Sequence, residues 1–223
     1  AYYNEKNIYT DSLRSVFGNN PCKTFINQFD FSKSINNFNI LKINLTNSLA
    51  SSNGNNYLDI AEINRTSITG SFKVNNPKYR LKHLLTTSLL FDKKYLSPFT
   101  FSYCLKREFH NHFNLYFNAG KVYRFPTIND LFWNPGGNLN LVPEQGYTGD
   151  IGIIWNKKIH KVIFAFEPTR YARWIDNGIL WQSTGSFWSA MNVKKVWNRG
   201  HETSAKVHFV NKKITYDFTL KPA

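Results

Sequence analysis

Apolar and polar residues alternate with period two along most of the chain. In 98–106, Phe99, Phe101, Tyr103 and Leu105 interleave with Thr100, Ser102, Cys104 and Lys106, giving an extended segment one aromatic face and one small polar face. In 111–119, Phe113, Leu115, Phe117 and Ala119 likewise oppose His112, Asn114, Tyr116 and Asn118. Ile68, Gly70, Phe72 and Val74 stand against Ser67, Thr69, Ser71 and Lys73, and Ile214, Tyr216, Phe218 and Leu220 against Thr215, Asp217 and Thr219. Fainter alternation runs through 38–49, 80–91, 146–156, 160–168 and 203–210. The pattern predicts an all-β chain of about nine or ten strands with no amphipathic helix.

Alternation does not say what covers the apolar face. A soluble sandwich buries it against a second sheet, and an outer-membrane barrel turns it to lipid. The links discriminate better. Those spanning 50–65, 120–145 and 170–202 are long, whereas those before 38 and at 75–79, 107–110, 157–159 and 211–213 are short, with 92–97 a short link on the long side. Short turns at one end and long loops at the other are the asymmetry of an up-and-down transmembrane barrel. The polar positions Thr100, Ser102, Asn114, Asn118, Thr215, Asp217 and Thr219 would line its lumen, although a sandwich would show the same residues to water.

Composition narrows the choice. The 223 residues are 42% hydrophobic and 17% aromatic, which excludes a disordered chain. No apolar run reaches the ~18 residues of a membrane-spanning helix. The segment from Ala1 to Glu5 lacks the basic and apolar regions of a signal peptide. Lys and Arg number 28 against 14 acids, a net charge of +14, but they are scattered in pairs such as Lys157-Lys158 and Lys212-Lys213. No basic stripe marks a nucleic-acid partner. Cys22 and Cys104 form neither a disulfide framework nor a metal spacing. His110-Asn111-His112 has a metal-compatible spacing at a short turn, yet no further Cys or carboxylate cluster supports it, and solvated turn histidines are expected. Glu167 and Asp150 read as lumen polar groups. No catalytic residue, resident cofactor or metal is expected, and the chain is not read as an enzyme.

From 120 to 144 the chain reads Gly-Lys-Val-Tyr-Arg-Phe-Pro-Thr-Ile-Asn-Asp-Leu-Phe-Trp-Asn-Pro-Gly-Gly-Asn-Leu-Asn-Leu-Val-Pro-Glu. Arg124, Phe125, Pro126, Thr127, Asp130, Leu131, Pro135, Gly137, Asn138, Leu141, Pro143 and Glu144 resemble a strand-to-loop segment of TonB-dependent outer-membrane receptors. Ile175, Asp176 and Asn177, followed by Ile179, resemble that family's Ile-Asp-Asn segment, and Asn192 with Arg199, Gly200 and Glu202 resembles its Asn…Arg-Gly-x-Glu stretch. The residues themselves read as a shaped loop. Pro126, Pro135 and Pro143 remove backbone donors, Gly136-Gly137 permits a positive-φ turn, and Arg124 and Glu144 flank the loop as a possible closing pair.

The resemblance implies a transmembrane antiparallel up-and-down β-barrel, roughly 22-stranded, containing an N-terminal plug domain and driven by the TonB complex. No plug pattern precedes the strands, and the chain stops at Leu220-Lys221-Pro222-Ala223 without a terminal aromatic strand. The expectation is therefore that 1–223 is about ten strands of a larger barrel, a C-terminal-side portion with the plug domain not present in this chain. The implied function is import of a large scarce nutrient of the ferric siderophore, haem or cobalamin type across the bacterial outer membrane. Trp133, Arg170, Arg173, Trp181 and Trp188, read in or beside the long loops, are the candidate ligand contacts. Trp155, Tyr103 and Phe109, near short turns, are candidate interface aromatics. Expected partners are TonB, outer-membrane lipids and lipopolysaccharide, a small-molecule ligand and a possible surface lipoprotein. Two other readings remain at this point: a soluble β-sandwich carbohydrate-binding module and an open diffusion porin.

Overall fold

The computed structural model describes residues 2–11, 16–57, 59–110, 112–210 and 215–220. They form one antiparallel sheet of eleven strands in strict sequence order. The strands are β1 (Tyr2–Asp11), β2 (Val16–Ser34), β3 (Asn39–Ser52), β4 (Ala61–Asn76), β5 (Leu81–Asp92), β6 (Thr100–His110), β7 (Phe113–Arg124), β8 (Glu144–Ile159), β9 (Val162–Ser183), β10 (Trp188–Val210) and β11 (Thr215–Leu220). A single short helix, α1 (Ile128–Phe132), interrupts the β7–β8 link. β1 and β11 are the edges of the described sheet, which is open. No second sheet covers it among the described residues, so the sandwich reading is excluded.

Side chains two apart on a strand, and partners directly across strands, share a face. Register therefore sorts the whole sheet. One row runs Phe31, Ile43, Gly70, Thr87, Phe101, Lys121, Tyr147, Trp174, Trp197 from β2 to β10. The neighbouring row, on the other face, runs Ser71, Thr86, Ser102, Gly120, Thr148, Arg173, Asn198 from β4 to β10. Phe29, Leu45, Ile68, Phe72, Phe117, Ile151 and Phe166 are exposed and all lie on the first face. The second face is polar and internally bonded: Asn44 Nδ2 donates to Asp30 Oδ1 (2.7 Å), Thr69 and Ser88 share a hydrogen bond (2.9 Å), and Asn118 Nδ2 donates to Asp150 Oδ2 (2.7 Å). Large exposed apolar groups concentrated on one face, with Tyr3 and Leu84 exceptions on the other, are the signature of a sheet that meets lipid.

The links keep the predicted asymmetry, with two corrections. Residues 35–38, 77–80 and 160–161 are tight connections at one end, while 53–60, 93–99 and 125–143 gather at the other. The expected loop 170–202 is instead strand: β9 and β10 pair from Val162–Phe209 out to Ser183–Trp188, and only 184–187 connects them. Arg170, Arg173, Trp174 and Trp181 are thus strand residues. Alternation fades there because this hairpin carries polar residues on both faces, as an extended pair does once it leaves lipid. The second correction is at the start, where β1 and β2 occupy a stretch for which no strand is expected. Pro21 within β2 removes a backbone donor, but it pairs only with β1, opposite Lys6, while the β3 ladder begins at Cys22. Asn111, Asn211, Lys212, Lys213, Ile214 and the last three residues, which carry parts of the expected turns and chain end, lie outside the described residues. Cys22 and Cys104 are free thiols.

Arginine at Phe72, on the exposed apolar face, should destabilise the barrel by about 2–4 kcal/mol in lipid vesicles, and arginine at Thr86, on the polar face, by less than about 1 kcal/mol. Urea unfolding of Phe72→Arg and Thr86→Arg in vesicles, followed by heat-modifiable gel mobility, reads the difference; equal losses would mean the faces are misassigned.

Candidate functional site

At the long-loop end, β7 stops at Arg124 and β8 starts at its cross-strand partner Glu144. Arg124 Nε donates to Glu144 Oε2 at 2.6 Å, which closes the base of the intervening loop as the flanking positions predict. Glu144 Oε1 also accepts from the Ile179 backbone N–H (2.6 Å), tying the same carboxylate to β9. The loop then turns into α1. Thr127 caps that helix, its Oγ1 accepting from the Asp130 N–H (3.2 Å) while Asp130 Oδ2 accepts from the Thr127 N–H (2.8 Å).

Asp130 is buried and does more than cap. Its Oδ1 accepts from the Trp181 indole N–H (2.9 Å), and Arg124 Nη1 lies 3.5 Å from its Oδ2. Leu131 and Trp181 pack on a small core of Leu141, Ile179 and Ala190. Beyond the helix, Gly136 takes φ +116 against β10, where a Cβ would collide with the Trp188 carbonyl. Its own carbonyl accepts from Ala190 N (2.8 Å) and Ser189 Oγ (3.1 Å). A Cβ at Gly137 would meet the backbone of Trp133. Asn138 Nδ2 donates to the Ala190 carbonyl (3.2 Å) while its Oδ1 accepts from Asn140 N (2.9 Å). Val142, just before Pro143, exchanges two bonds of 2.9 Å with the Asn192 side chain, which also donates to the carbonyl of Asn177, a residue at φ 55.

The other side of the loop rests on β4, β5 and their neighbours. Arg65 pairs with Asp92 (2.8 Å), donates to the Pro126 carbonyl and stacks on Phe125 with its guanidinium 5.0 Å from the ring centroid. Tyr95 stacks on Phe125 and donates from its hydroxyl to the Leu141 carbonyl (3.1 Å). Tyr57, in the 53–60 loop, meets Trp133 edge-on at 5.8 Å and donates to Asn129. The mouth is thus one bonded body built from three links and the β9–β10 hairpin strands. Between Arg65, Tyr95, Pro126, Leu131 and Leu139 it leaves a cavity of about 180 Å³.

The structure brings Arg124, Pro126, Thr127, Asp130, Leu131, Gly137, Asn138 and Glu144 together as a single docked loop, with Asn177 and Asn192 on its receiving face. Ile175 and Asp176 are paired β9 residues at the base of this hairpin, and Asp176 accepts weakly from the Trp174 indole (3.4 Å). Arg199, Gly200 and Glu202 lie further down β10, away from the mouth; Gly200 gives space to the Tyr171 hydroxyl. Trp133 is half-buried against Tyr57, Trp181 is in the loop core, and Trp188 is exposed at the hairpin tip. Arg170 and Arg173 fall on opposite faces of β9: Arg173 on the polar face with Thr148 and Asn198, Arg170 on the apolar face with Ile151 and Phe117. Arg65, Asp92, Tyr95 and Tyr57 escape the sequence reading because their partners lie far along the chain, Arg65 and Pro126 being 61 positions apart, and no local pattern marks them.

Burial pushes the Glu144 carboxyl up, but the Arg124 hydrogen bond, the Ile179 N–H and the guanidinium charge outweigh it and hold the group below the usual carboxylate value of 4.5. Glu144 also raises the Arg124 guanidinium further above its ordinary range, chiefly through the hydrogen bond between them. Both groups sit at strand ends outside the membrane-facing band. Because the folded carboxyl is the stronger acid, its stabilisation is present at neutral pH, where both states are ionised, and is lost as pH falls through the folded value.

A sequential antiparallel sheet with one lipid-type face, tight turns at one end and a packed loop body at the other defines a membrane β-barrel. Residues 63–222 match the family model described as TonB dependent receptor-like, beta-barrel, and the chain belongs to that family. The vitamin B12 transporter BtuB of Photobacterium profundum is 32% identical over 93 residues, 40% of this chain and 15% of that protein. Among solved structures, the apoprotein form of the FrpB iron transporter of Neisseria meningitidis superposes with a TM-score of 0.71 at 11% identity, over 99% of this chain and 40% of that one. The siderophore receptor PirA of Pseudomonas aeruginosa gives 0.70 at 11% identity, over 92% and 44%. These likenesses show the fold. The chain spans well under half of each of these proteins.

Limited proteolysis across pH tests the closing pair: cleavage within 125–143 should rise as pH falls below about 4.5 in the native protein. In Glu144→Gln it should be raised already at pH 7 and vary little. A pH-independent native protein would contradict the pairing.

Proposed function

We propose that this chain is the mouth-bearing part of an outer-membrane receptor that imports a large, scarce nutrient of the siderophore, haem or cobalamin class, energised by TonB through a plug domain outside this chain. The observation that carries the reading is the docked 125–143 loop, which makes the long-loop end of the sheet a fixed, polar and aromatic rim. Preformed surfaces of this kind lose little ordering entropy when a ligand seats on them. Support also comes from family membership, and from relatives whose names denote vitamin B12 and iron transport.

Ligand contact falls to Trp133, Trp188 and Arg173. Trp188 is exposed at the hairpin tip, Trp133 borders the same rim, and Arg173 projects from the polar face toward the lumen with no ion-pair partner among the described residues. Trp181 supports the rim through Asp130 rather than touching ligand. Chemistry at this site is capture and release, with no bond made or broken.

The test is uptake of radiolabelled cobalamin, ferric siderophore and haem by cells carrying the intact receptor. One ligand should accumulate against its gradient, accumulation should vanish without TonB, and Trp133→Ala/Trp188→Ala should weaken binding about tenfold while heat-modifiable mobility is retained. Uptake that persists without TonB, together with a steady single-channel conductance, would establish an open porin instead.

A further inference from the structure

The cavity beside the docked loop is a separate candidate site, since none of Trp133, Trp188 and Arg173 lines it. Its apolar walls are Ile63 of β4, Tyr95 of the β5–β6 link, and Pro126, Leu131 and Leu139 of the loop, and its volume is about 180 Å³. Pro126, Tyr95 and Leu131 are fixed by contacts made elsewhere. Arg65 holds the Pro126 carbonyl, the Tyr95 hydroxyl donates to the Leu141 carbonyl, and Leu131 packs on Leu141, Ile179 and Ala190. Walls anchored in this way relax little, so the space stays open. Leu139 is 60% exposed and marks where it meets solvent.

Size and charge narrow the occupant. An apolar cavity of about 150 Å³ takes up benzene, so this one accommodates a single six-membered ring with a small substituent and is too small for a porphyrin or corrin macrocycle. Lys94 Nζ stands 5.1 Å from the Tyr95 ring centroid and donates to the Leu139 carbonyl (3.1 Å), which places an ammonium group at the opening. Lys93, the preceding residue, also lines the cavity and has no carboxylate partner among the described residues. Two carboxylates border the same space, Asp92 and Glu62. Asp92 pairs with Arg65 Nε (2.8 Å) and accepts from the Lys94 N–H (3.3 Å), while Glu62 has the register of Ile68 and Phe72, on the opposite face from Arg65. The charge left facing the cavity is positive.

An apolar slot the size of one ring, with the ammonium groups of Lys93 and Lys94 at its opening, is complementary to an aryl acid. We propose that the cavity is a subsite for a single aromatic ring carrying an ionised oxygen, a carboxylate or phenolate, with the ring between Pro126, Leu131 and Tyr95 and the oxygen at Lys93 and Lys94. Hydrogen bonds from an ammonium to such an oxygen are short and roughly twice as strong as neutral ones, and the ring adds apolar burial. The proposal rests on the import reading and sharpens it: the nutrient presents a pendant aryl acid to the 93–99 and 125–143 links. Of the nutrient classes above, this selects a siderophore with aryl-oxygen arms.

The test uses the intact receptor, purified in detergent and titrated with benzoate, with benzamide as the neutral ring and with acetate as the charge alone, binding being read by saturation-transfer NMR on the probe. Benzoate should bind about fivefold more tightly than benzamide, and acetate should give no saturable signal. Lys93→Gln/Lys94→Gln should weaken benzoate by about the same fivefold and leave benzamide where it was. Leu139→Trp, at an exposed wall position, fills the slot and should abolish both signals while heat-modifiable mobility is retained. Benzamide binding as tightly as benzoate, unchanged benzoate affinity in the double lysine variant, or a signal that survives Leu139→Trp would each overturn the proposal, the last because the probe then sits in detergent or elsewhere on the protein. Benzoate binding that follows these expectations in a receptor without TonB-dependent uptake would instead overturn the import reading and leave the subsite standing.

Discussion

A buried carboxylate needs partners for both oxygens, and Asp130 finds them in separate parts of the chain: the Thr127 backbone within its own helix, Arg124 at the end of β7 and the Trp181 indole on β9. An unsatisfied buried group would cost about 1–3 kcal/mol. That cost fixes the loop's position, because the three donors coincide only when α1 lies against the β9–β10 hairpin. Glu144 repeats the arrangement one step away, sharing Arg124 and reaching Ile179. With these two acids in place, Leu131 and Leu141 meet Ile179, Ala190 and Trp181, and the apolar contact follows the polar one.

The rest of the mouth is arranged around this core. Arg65 reaches the Pro126 carbonyl from β4 and Tyr95 reaches Leu141 from the β5–β6 link, so the loop is held from both sides of the sheet. Such a rim differs from the surface loops of most proteins, which are held at their ends and vary in between. Here the long strands β9 and β10 rise past the membrane band to supply a wall, and the loop is bonded along its length. The sheet below needs no inner core, since its apolar face is solvated by lipid and its polar face by hydrogen bonds among Asp30, Asn44, Thr69 and Ser88.

Much of this was legible in the sequence where one environment faces each side. Phe101, Phe117 and Ile151 alternate with Ser102, Asn118 and Asp150 because lipid and lumen select opposite chemistries, and strand positions in 38–168 follow from that. Pro126, Pro135 and Pro143 with the Gly136-Gly137 turn likewise announce a shaped loop, and Arg124 with Glu144 announces its closure, whereas the Thr127-capped helix inside it is not foreseen. Period two fails in 170–202, where one face of an extended hairpin receives the 125–143 loop and both faces carry polar residues, and so strand reads as loop. It fails again around Pro21. Long-range partners such as Arg65 and Tyr95 leave no local trace at all, and the opposite destinations of Arg170 and Arg173 appear only once they are placed on a strand, three residues apart.

The central claim is that residues 125–143 are a fixed part of the barrel wall, anchored by Asp130. Residue-resolved amide hydrogen exchange on the intact receptor in bilayers tests it most directly, since Asn138, Val142, Ile179 and Ala190 all donate into this contact. These amides should exchange as slowly as those of the β7 and β8 ladder in the native protein, and at least tenfold faster in Asp130→Asn, whose amide removes the charge that Arg124 meets. Exchange at the rate of a free loop in the native protein would contradict the account.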